Sequence, residues 1–446
     1  MKQNRNHMKK TLLLAVAASL MGASPLMADV DLFMTGSTAF RANVHDACLG
    51  LFTSHTEFTG TPATGGDTKT GNAAAQWTMT GTPIAGLTAI SGTLTIHGLF
   101  TGSIQGPQTV EQGVKLFFLD KNGNEMTNTP TIAFSDSSTL VSPYPVDGVA
   151  FAEENVAVQP FVMVKSIAGG AMGSITNVTW DQLKTMIILG RLPLSAWTYQ
   201  NSDTNTFVYL IERTKDSGTR RTETAEMGYA YNTGITVYNY DVTNNAFYLA
   251  KGNVNGANGG SNSVAIVGVV GPAGNLNANL NWGPGYVGGG DIATVMKNNN
   301  PNNLSIAFLS IADAKAITGT TWSQVIPFNG LWPTAQGPAI AGAITNDYSN
   351  ITLGMYPLWG YEVLVYPLED PYILHNDQNL THTQLGDQNT PGTLLGVLDN
   401  QAAGTPIAGS IQALIEASKT SGPATAIRDS DMHVTRVPAV GGPIFP

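Results

Sequence analysis

Apolar and polar positions alternate along the chain with two periods, and they predict strands and helices in turn. Residues 29–35 read as a strand. Gly36-Ser-Thr38 then turns into an amphipathic helix from Ala39 to Phe52. A Thr/Gly-rich stretch, 59–82, has no clear period and reads as loop or irregular β. Residues 92–98 alternate as a strand, 130–134 form another, and the short apolar run 160–165 suits a buried one. Thr179 caps a helix that ends at Gly190, with Gln182 three residues in, the signature of a capping box. A strand at 206–211 leads through Glu212-Arg-Thr-Lys-Asp-Ser-Gly-Thr219 into a helix from Arg220 to about Met227. Residues 252–262 are a polar Asn/Gly loop. Later come a strand from Leu304, a short helix from Ile311, a strand at 361–366 and an amphipathic helix at 406–418. Strands alternating with helices indicate α/β layers, here with mostly parallel pairing.

The first 28 residues change this picture. Lys2, Arg5, Lys9 and Lys10 precede an apolar run at 11–22 and a small residue at Ala28, the pattern of a secretory signal peptide. The run is too short for a membrane span, which needs about 20 residues. Cleavage there leaves 17 Lys and Arg against 31 Asp and Glu, a balance of −14. Nucleic acid is thereby disfavoured as a partner, since its binding needs clustered cations. A small anion is not, because backbone N–H groups and one Arg can hold it locally. The expectation is a soluble periplasmic or secreted monomer without a lipid-anchor cysteine. The single cysteine, Cys48, reads as a buried small apolar residue on a helix.

Four segments share one physical feature: Thr35-Gly-Ser-Thr38, Thr101-Gly-Ser-Ile-Gln-Gly106, Ser135-Asp-Ser-Ser138 and Asp216-Ser-Gly-Thr219. In each, hydroxyl residues or glycines sit at a strand end or just before a helix. The first turn of a helix has unpaired N–H groups and a positive dipole end. Several such ends converging would hold an oxyanion with few formal charges. Each alone is equally an ordinary cap. Their recurrence, with Arg213 four residues before Ser217, favours a shared site.

These residues resemble the phosphate-binding proteins of ABC importers, a branch of the type II periplasmic-binding-protein superfamily. The resemblance rests on Arg213-x-x-x-Ser217-Gly218-Thr219, on the Thr179-x-Asp-Gln-Leu-Lys helix with Gly190 and Trp197, and on Phe134-Ser-Asp136. It covers most of residues 30–370. It implies a two-lobed α/β fold, each lobe a mixed sheet flanked by helices, with the ligand cleft between them. Lobe I would be 29–163 plus 327–446, and lobe II the inserted 164–326. Ser37 and Thr38 would donate from the first loop and Ser103, or Thr101, from the second. Arg213 would pair with two oxyanion oxygens, while Ser217, Gly218 and Thr219 add hydroxyl and backbone donors. Asp136, as an ionised carboxylate, accepts only, so it would penalise an unprotonated anion such as sulfate against phosphate. The implied function is capture of phosphate, or a similar protonated oxyanion, and delivery to an ABC permease. No cofactor is implied. Two departures stand out: Lys215, where many relatives are acidic, and Ile104-Gln105, where relatives are small.

No G-x-S-x-G elbow or P-loop occurs, so the chain is read as a binder rather than an enzyme. His375, His382, Asp377 and Asp387 match no metal spacing and read as a solvated loop, leaving no expected metal. Asp120-Lys-Asn-Gly123 reads as a hairpin turn rather than a calcium loop. Trp180, Trp197 and Trp359 read as packing residues. The alternative function is an extracellular surface, matrix or adhesion protein on the same fold, which the Thr/Asn/Gly-rich insertions favour.

Overall fold

The computed structural model describes residues 29–59, 70–88, 90–100, 102–142, 151–167, 169–250, 253–254, 269–270, 284–318, 325–335, 347–368, 407–418, 426–436 and 444–445. The signal segment 1–28, Thr101 and the histidine-bearing stretch 375–387 lie outside them. So do 60–69 and most of the Asn/Gly loop.

In chain order the main strands are β1 (Val30–Gly36), β2 (Phe52–Thr59), β3 (Gln76–Pro83), β4 (Leu94–Leu99), β5 (Lys115–Leu119), β6 (Glu125–Asn128), β7 (Ile132–Ser135), β8 (Phe151–Lys165), β9 (Arg191–Pro193), β10 (Phe207–Ile211), β11 (Tyr238–Asp241), β12 (Ala246–Leu249), β13 (Ser305–Ser310), β14 (Val325–Ile326) and β15 (Trp359–Pro367). The helices used below are α1 (Arg41–Leu49), α2 (Gln105–Glu111), α3 (Trp180–Leu189), α4 (Gly218–Glu226), α5 (Gly289–Met296), α6 (Ile311–Thr318) and α7 (Ile407–Ser418).

The fold is mixed α/β. One continuous path of strands runs β12-β11-β10-β13-β8-β15-β7-β1-β4-β3-β2. β8 is its spine. Its first ten residues, Phe151 to Pro160, pair with β15, and its last five, Phe161 to Lys165, pair with β13. The sheet therefore passes from one half to the other at Pro160/Phe161. β1 is flanked by parallel β4 and β7, and β10 by parallel β11 and β13. Elsewhere pairing is mostly antiparallel, so the expected predominance of parallel ladders is corrected. The hairpin β2–β3 and its continuation β4 are the main departure.

The Thr/Gly-rich stretch 59–82, expected as loop or irregular β, is β from Gln76 onward, where it forms β3 of this hairpin. Thr53 to Glu57 are all exposed on the edge strand β2. An edge strand wetted on both faces has no hydrophobic alternation to read. The first helix runs from Arg41 to Leu49 rather than from Ala39 to Phe52, ending at the Gly50 cap, and Phe52 already belongs to β2.

Packing follows the periods. On β1, Leu32 and Met34 join a core with Phe40, Val44 and Cys48, while Phe33 points the other way onto Val114, Leu116 and Phe118. Cys48 is fully buried on α1, and burial pushes its thiol pKa up. α3 has its capping box, Thr179 with Gln182, and ends on Gly190 at φ 70°, left-handed. It buries Leu183, Met186 and Ile187. A cap of this kind stabilises by about 1 kcal/mol. Trp359 is fully buried, and Trp180 and Trp197 pack against the same core. The turn at Asp120 joins β5 to β6, with Gly123 N donating to Asp120 O at 3.0 Å. Among the described residues no helix is long and apolar enough to cross a membrane.

Helix α4 breaks the pattern. Its sequence, Gly-Thr-Arg-Arg-Thr-Glu-Thr-Ala-Glu, is polar almost throughout, yet all nine residues are buried. It is held by specific polar partners rather than by an apolar stripe.

Candidate functional site

Four loops meet between the two halves of the sheet. The first leaves β1 at Gly36, whose φ of 123° is open to glycine. A Cβ there would overlap the Phe134 carbonyl of β7. Ser37 N instead donates to Phe134 O at 2.8 Å, and Ser37 Oγ accepts from Phe40 N at 3.1 Å. The Ser37 hydroxyl thus keeps its own proton available. Thr38 follows, its backbone O held by Arg41 Nη1 at 2.7 Å.

The second loop is tied to the first by Gly102 N on Gly36 O, 2.9 Å. It places Ser103, 2% exposed, against the third and fourth loops. Ile104 N donates to Asp216 O at 3.2 Å, a direct bond between the two halves.

The third loop leaves β7 at Ser135 and carries Asp136, 1% exposed. Asp136 Oδ2 accepts from Thr219 Oγ1 at 3.2 Å, and its backbone O from Thr222 Oγ1 at 3.3 Å. Oδ1 is buried without a hydrogen-bond partner. Burial raises the Asp136 pKa; Ser103, Arg213 and Thr219 nearby offset part of that rise. The Ser103 side chain is close enough to favour the carboxylate, but no hydrogen bond of ordinary geometry reaches Oδ1.

The fourth loop runs from β10 into α4. Arg213 is 2% exposed. Its Nε donates to Tyr286 O at 3.3 Å, and its Nη2 to Val287 O at 2.7 Å and Thr38 Oγ1 at 3.3 Å. Nη1 is buried with no partner. Two edges of the guanidinium are therefore fixed and the third is open. Burial lowers the Arg213 pKa, opposed by the charges of Asp313, Asp136 and Asp291. Ser217 caps α4, its Oγ accepting from Arg220 N at 3.4 Å. Gly218 begins the helix. A Cβ there would overlap Asp136 Oδ1 and come within 2.6 Å of Ser103 Cβ. Only glycine lets α4 approach Asp136 this closely.

The expected residues thus divide as follows. Thr38 meets Arg213, and Ser103, Asp136, Gly218 and Thr219 meet one another. Ser37 and Ser217 cap the turns beside them. Of the expected residues, only the alternative Thr101 falls outside the described set.

Sequence reasoning missed several groups. Ser137 is fully buried and its Oγ has no partner. Gln105 is 1% exposed with both amide atoms unpartnered. Both lie in the flagged loops, but a hydroxyl or amide carries no sequence signal of being orphaned. The carbonyls of Tyr286 and Val287 that aim Arg213 are invisible in sequence. So is a buried carboxyl pair, Glu212 of the β10–α4 loop and Glu223 of α4. Burial raises both, and the neighbouring Glu212 raises Glu223 further, while the charge of Arg220 opposes the rise. Among the described residues no three or more His, Cys, Asp or Glu side chains group as metal ligands.

No family model matches the chain, and no curated protein matches it. Solved structures do. One is a substrate-binding protein assigned to phosphate ABC transport, with bound phosphate, from Clostridium perfringens. It is 12% identical, covers 90% of this chain and 99% of its own, and has a TM-score of 0.41. A second is an ABC-type phosphate transport receptor from Vibrio cholerae, 13% identical over 79% of this chain and 90% of its own, TM-score 0.34. A third is a human phosphate-binding apolipoprotein, 12% identical over 90% and 98%, TM-score 0.36. At these TM-scores the likeness assigns no role to any residue of the site.

Proposed function

We propose that this chain is an exported solute-binding protein that closes two lobes on phosphate, or a similar protonated oxyanion, and passes it to an ABC permease. One observation carries the reading. A buried donor, Arg213 Nη1, and a buried acceptor, Asp136 Oδ1, lack partners in the same polar seam. Each such orphan costs about 1–3 kcal/mol, more where charged. A ligand that offers both an acceptor oxygen and a proton relieves both at once. Hydrogen phosphate does so. Sulfate meets the arginine but brings no proton to the aspartate.

In this reading Arg213 supplies charge, with Ser37, Thr38, Ser103, Ser217, Gly218 and Thr219 as further donors. The lobes are 29–163 with 327–446, and 164–326. Direct contacts across the seam, such as Ile104 N on Asp216 O and Thr219 on Asp136, are those of a closed form. Closure is driven because only the closed form presents donors from both sides. Calorimetry with phosphate on the mature chain tests the reading. Wild type should bind at micromolar concentration, and Arg213→Ala should lose at least about 100-fold in affinity, as expected for a buried charged partner. Equal binding by both proteins overturns it.

A further inference from the structure

Helix α1 buries Val44, Ala47 and Cys48, and His45 is enclosed with them, 3% exposed. A ring so enclosed needs a partner for each nitrogen, because a buried polar atom left unpaired is costly. His45 has both. Its Nδ1 lies 3.1 Å from Oδ1 of Asp46, the next residue on α1. Its Nε2 lies 2.8 Å from Oε1 of Glu57, on the edge strand β2. Asp46 is itself fixed, its two oxygens accepting from Asn72 Nδ2 at 3.2 and 3.1 Å. The His45 ring stands at 87° to the Trp77 ring of β3, with centroids 5.3 Å apart.

An ionised carboxylate only accepts hydrogen bonds, and a neutral imidazole has a single N–H. A ring with a carboxylate at each nitrogen is satisfied at both only as imidazolium, with one proton on Nδ1 and one on Nε2. The other groups around it leave this balance in place. On β2, His55 sits against Phe52, ring centroids 5.7 Å apart. On α1, Arg41 lies one turn before His45 and donates from Nη1 to Thr38 O at 2.7 Å. From β1 come the apolar Leu32 and Met34. The described side chains of α7, which packs along α1, carry no charge. Burial by itself disfavours the charged ring, but the hydrogen bonds and charges of Asp46 and Glu57 outweigh it and leave the His45 pKa above its ordinary 6.5.

We propose that His45 is a charged clamp between α1 and the edge strand β2, and that loss of one ring proton loosens the edge of the sheet as the pH rises. The proton goes to solvent. One nitrogen then turns a lone pair toward a carboxylate, and the bond at the other loses its charge assistance, so the hold on Glu57 weakens in either tautomer. Because folding raises the pKa, the clamp's stabilisation is full below 6.5 and is lost as the pH rises through the higher folded value. β2 is the strand that depends on such a hold. It ends the path of strands, pairs with β3 on one side only, and exposes Thr53 to Glu57.

Ring-nitrogen NMR of the mature chain, labelled with ¹⁵N at histidine, reads the clamp directly, with His45→Gln identifying the signal. At pH 6 both ring nitrogens of His45 should carry protons, and the titration midpoint should lie above 6.5. Glu57→Gln keeps an acceptor but removes the charge, so it should move that midpoint to lower pH. Hydrogen exchange at the β2 amides bonded to β3, corrected for the intrinsic rate, should show protection falling about fivefold across the same titration, the scale of a partly exposed ion pair. In His45→Gln the protection should start low at pH 6 and stay level. A neutral ring at pH 6, or a midpoint at or below 6.5, refutes the clamp, as does an unchanged midpoint in Glu57→Gln. Constant β2 protection while His45 titrates refutes the loosening of the edge.

Discussion

Replacing Asp136 by Asn should abolish discrimination against sulfate, and lowering the pH should do the same in the wild type. The argument is a proton count. Asp136 Oδ1 is buried without a donor, so if the anion binds against it, as proposed, one proton must lie between the two. Hydrogen phosphate brings that proton. With sulfate, Asp136 must take it from solvent. At its ordinary value of 3.8, that uptake costs about 5 kcal/mol at pH 7.5, at about 1.4 kcal/mol per pH unit. Burial raises the Asp136 pKa, so about 5 kcal/mol is the ceiling, and each unit of rise removes about 1.4 of it. While the pH stays above the Asp136 pKa, sulfate affinity should gain about tenfold per unit of falling pH. From pH 7.5 to 5.5 that is up to about 100-fold. Asp136→Asn carries its own N–H donors, so its sulfate affinity should rise at pH 7.5 and lose the pH slope. Isothermal titration with sulfate between pH 5 and 8, on both proteins, reads this directly. A flat wild-type profile, or an Asn variant no better than wild type, refutes the proton count. Failure of wild type to bind phosphate at all refutes the phosphate reading instead.

Gly218→Ala should lose about 10- to 100-fold in phosphate affinity, since its Cβ overlaps Asp136 Oδ1 and overpacking of this kind costs about 1–3 kcal/mol; small-angle scattering should show a more open molecule, and an unchanged radius with full affinity would count against the closure. Asp216 has its pKa pushed up to about 6 by burial. Its charged form is disfavoured in the fold, so its stabilising contribution is full below its ordinary 3.8 and is lost as the pH rises to about 6. Asp216→Asn should therefore gain up to about 3 kcal/mol over wild type at pH 8 but little at pH 4, measured by urea unfolding. Arg436→Met strands the buried Glu226 and should cost about 3–5 kcal/mol in the same assay, while adding Glu226→Gln should recover part of it; strictly additive losses would show that the pair does not interact.

What was legible in the sequence depended on which physical signal each element carries. α3 was readable to the residue, because Thr179, Gln182 and Gly190 are local chemistry that fixes both ends. β13 and β15 were readable because both faces are buried and the runs are continuously apolar. β2 and β3 were not, since their hydroxyl-rich faces look like loop until a neighbouring strand supplies the hydrogen bonds. The site loops were readable as a set of capping residues. That Thr38 meets Arg213, and Ser103 meets Gly218, follows only from β8 crossing between the halves and returning α4 to face β7. The buried partners in that meeting, Ser137, Gln105 and the Glu212–Glu223 pair, have meaning only once their surroundings are known.

α4 is the element on which these threads converge. A helix of Thr, Arg and Glu gains little from the hydrophobic effect, yet it is wholly buried. Its stability must then come from partners fixed elsewhere: Asp136 at its N-terminal end, Arg436 at its C-terminal end, and backbone carbonyls along its cationic face. Arg436 itself is anchored by Trp359 O at 3.0 Å and Pro357 O at 2.8 Å, at the start of β15, and stacks on the Trp359 ring at 4.3 Å. The tail thus ties α4 to the strand that pairs with β8 just before the hand-over at Pro160/Phe161. Any opening that carries Thr219 away from Asp136 also pulls on Glu226 and Arg436, because one rigid nine-residue helix bears both contacts. The Asp136 contact and the Arg436 ion pair are therefore borne by the same helix, so the Arg436→Met variant also tests whether the proposed site depends on its far end.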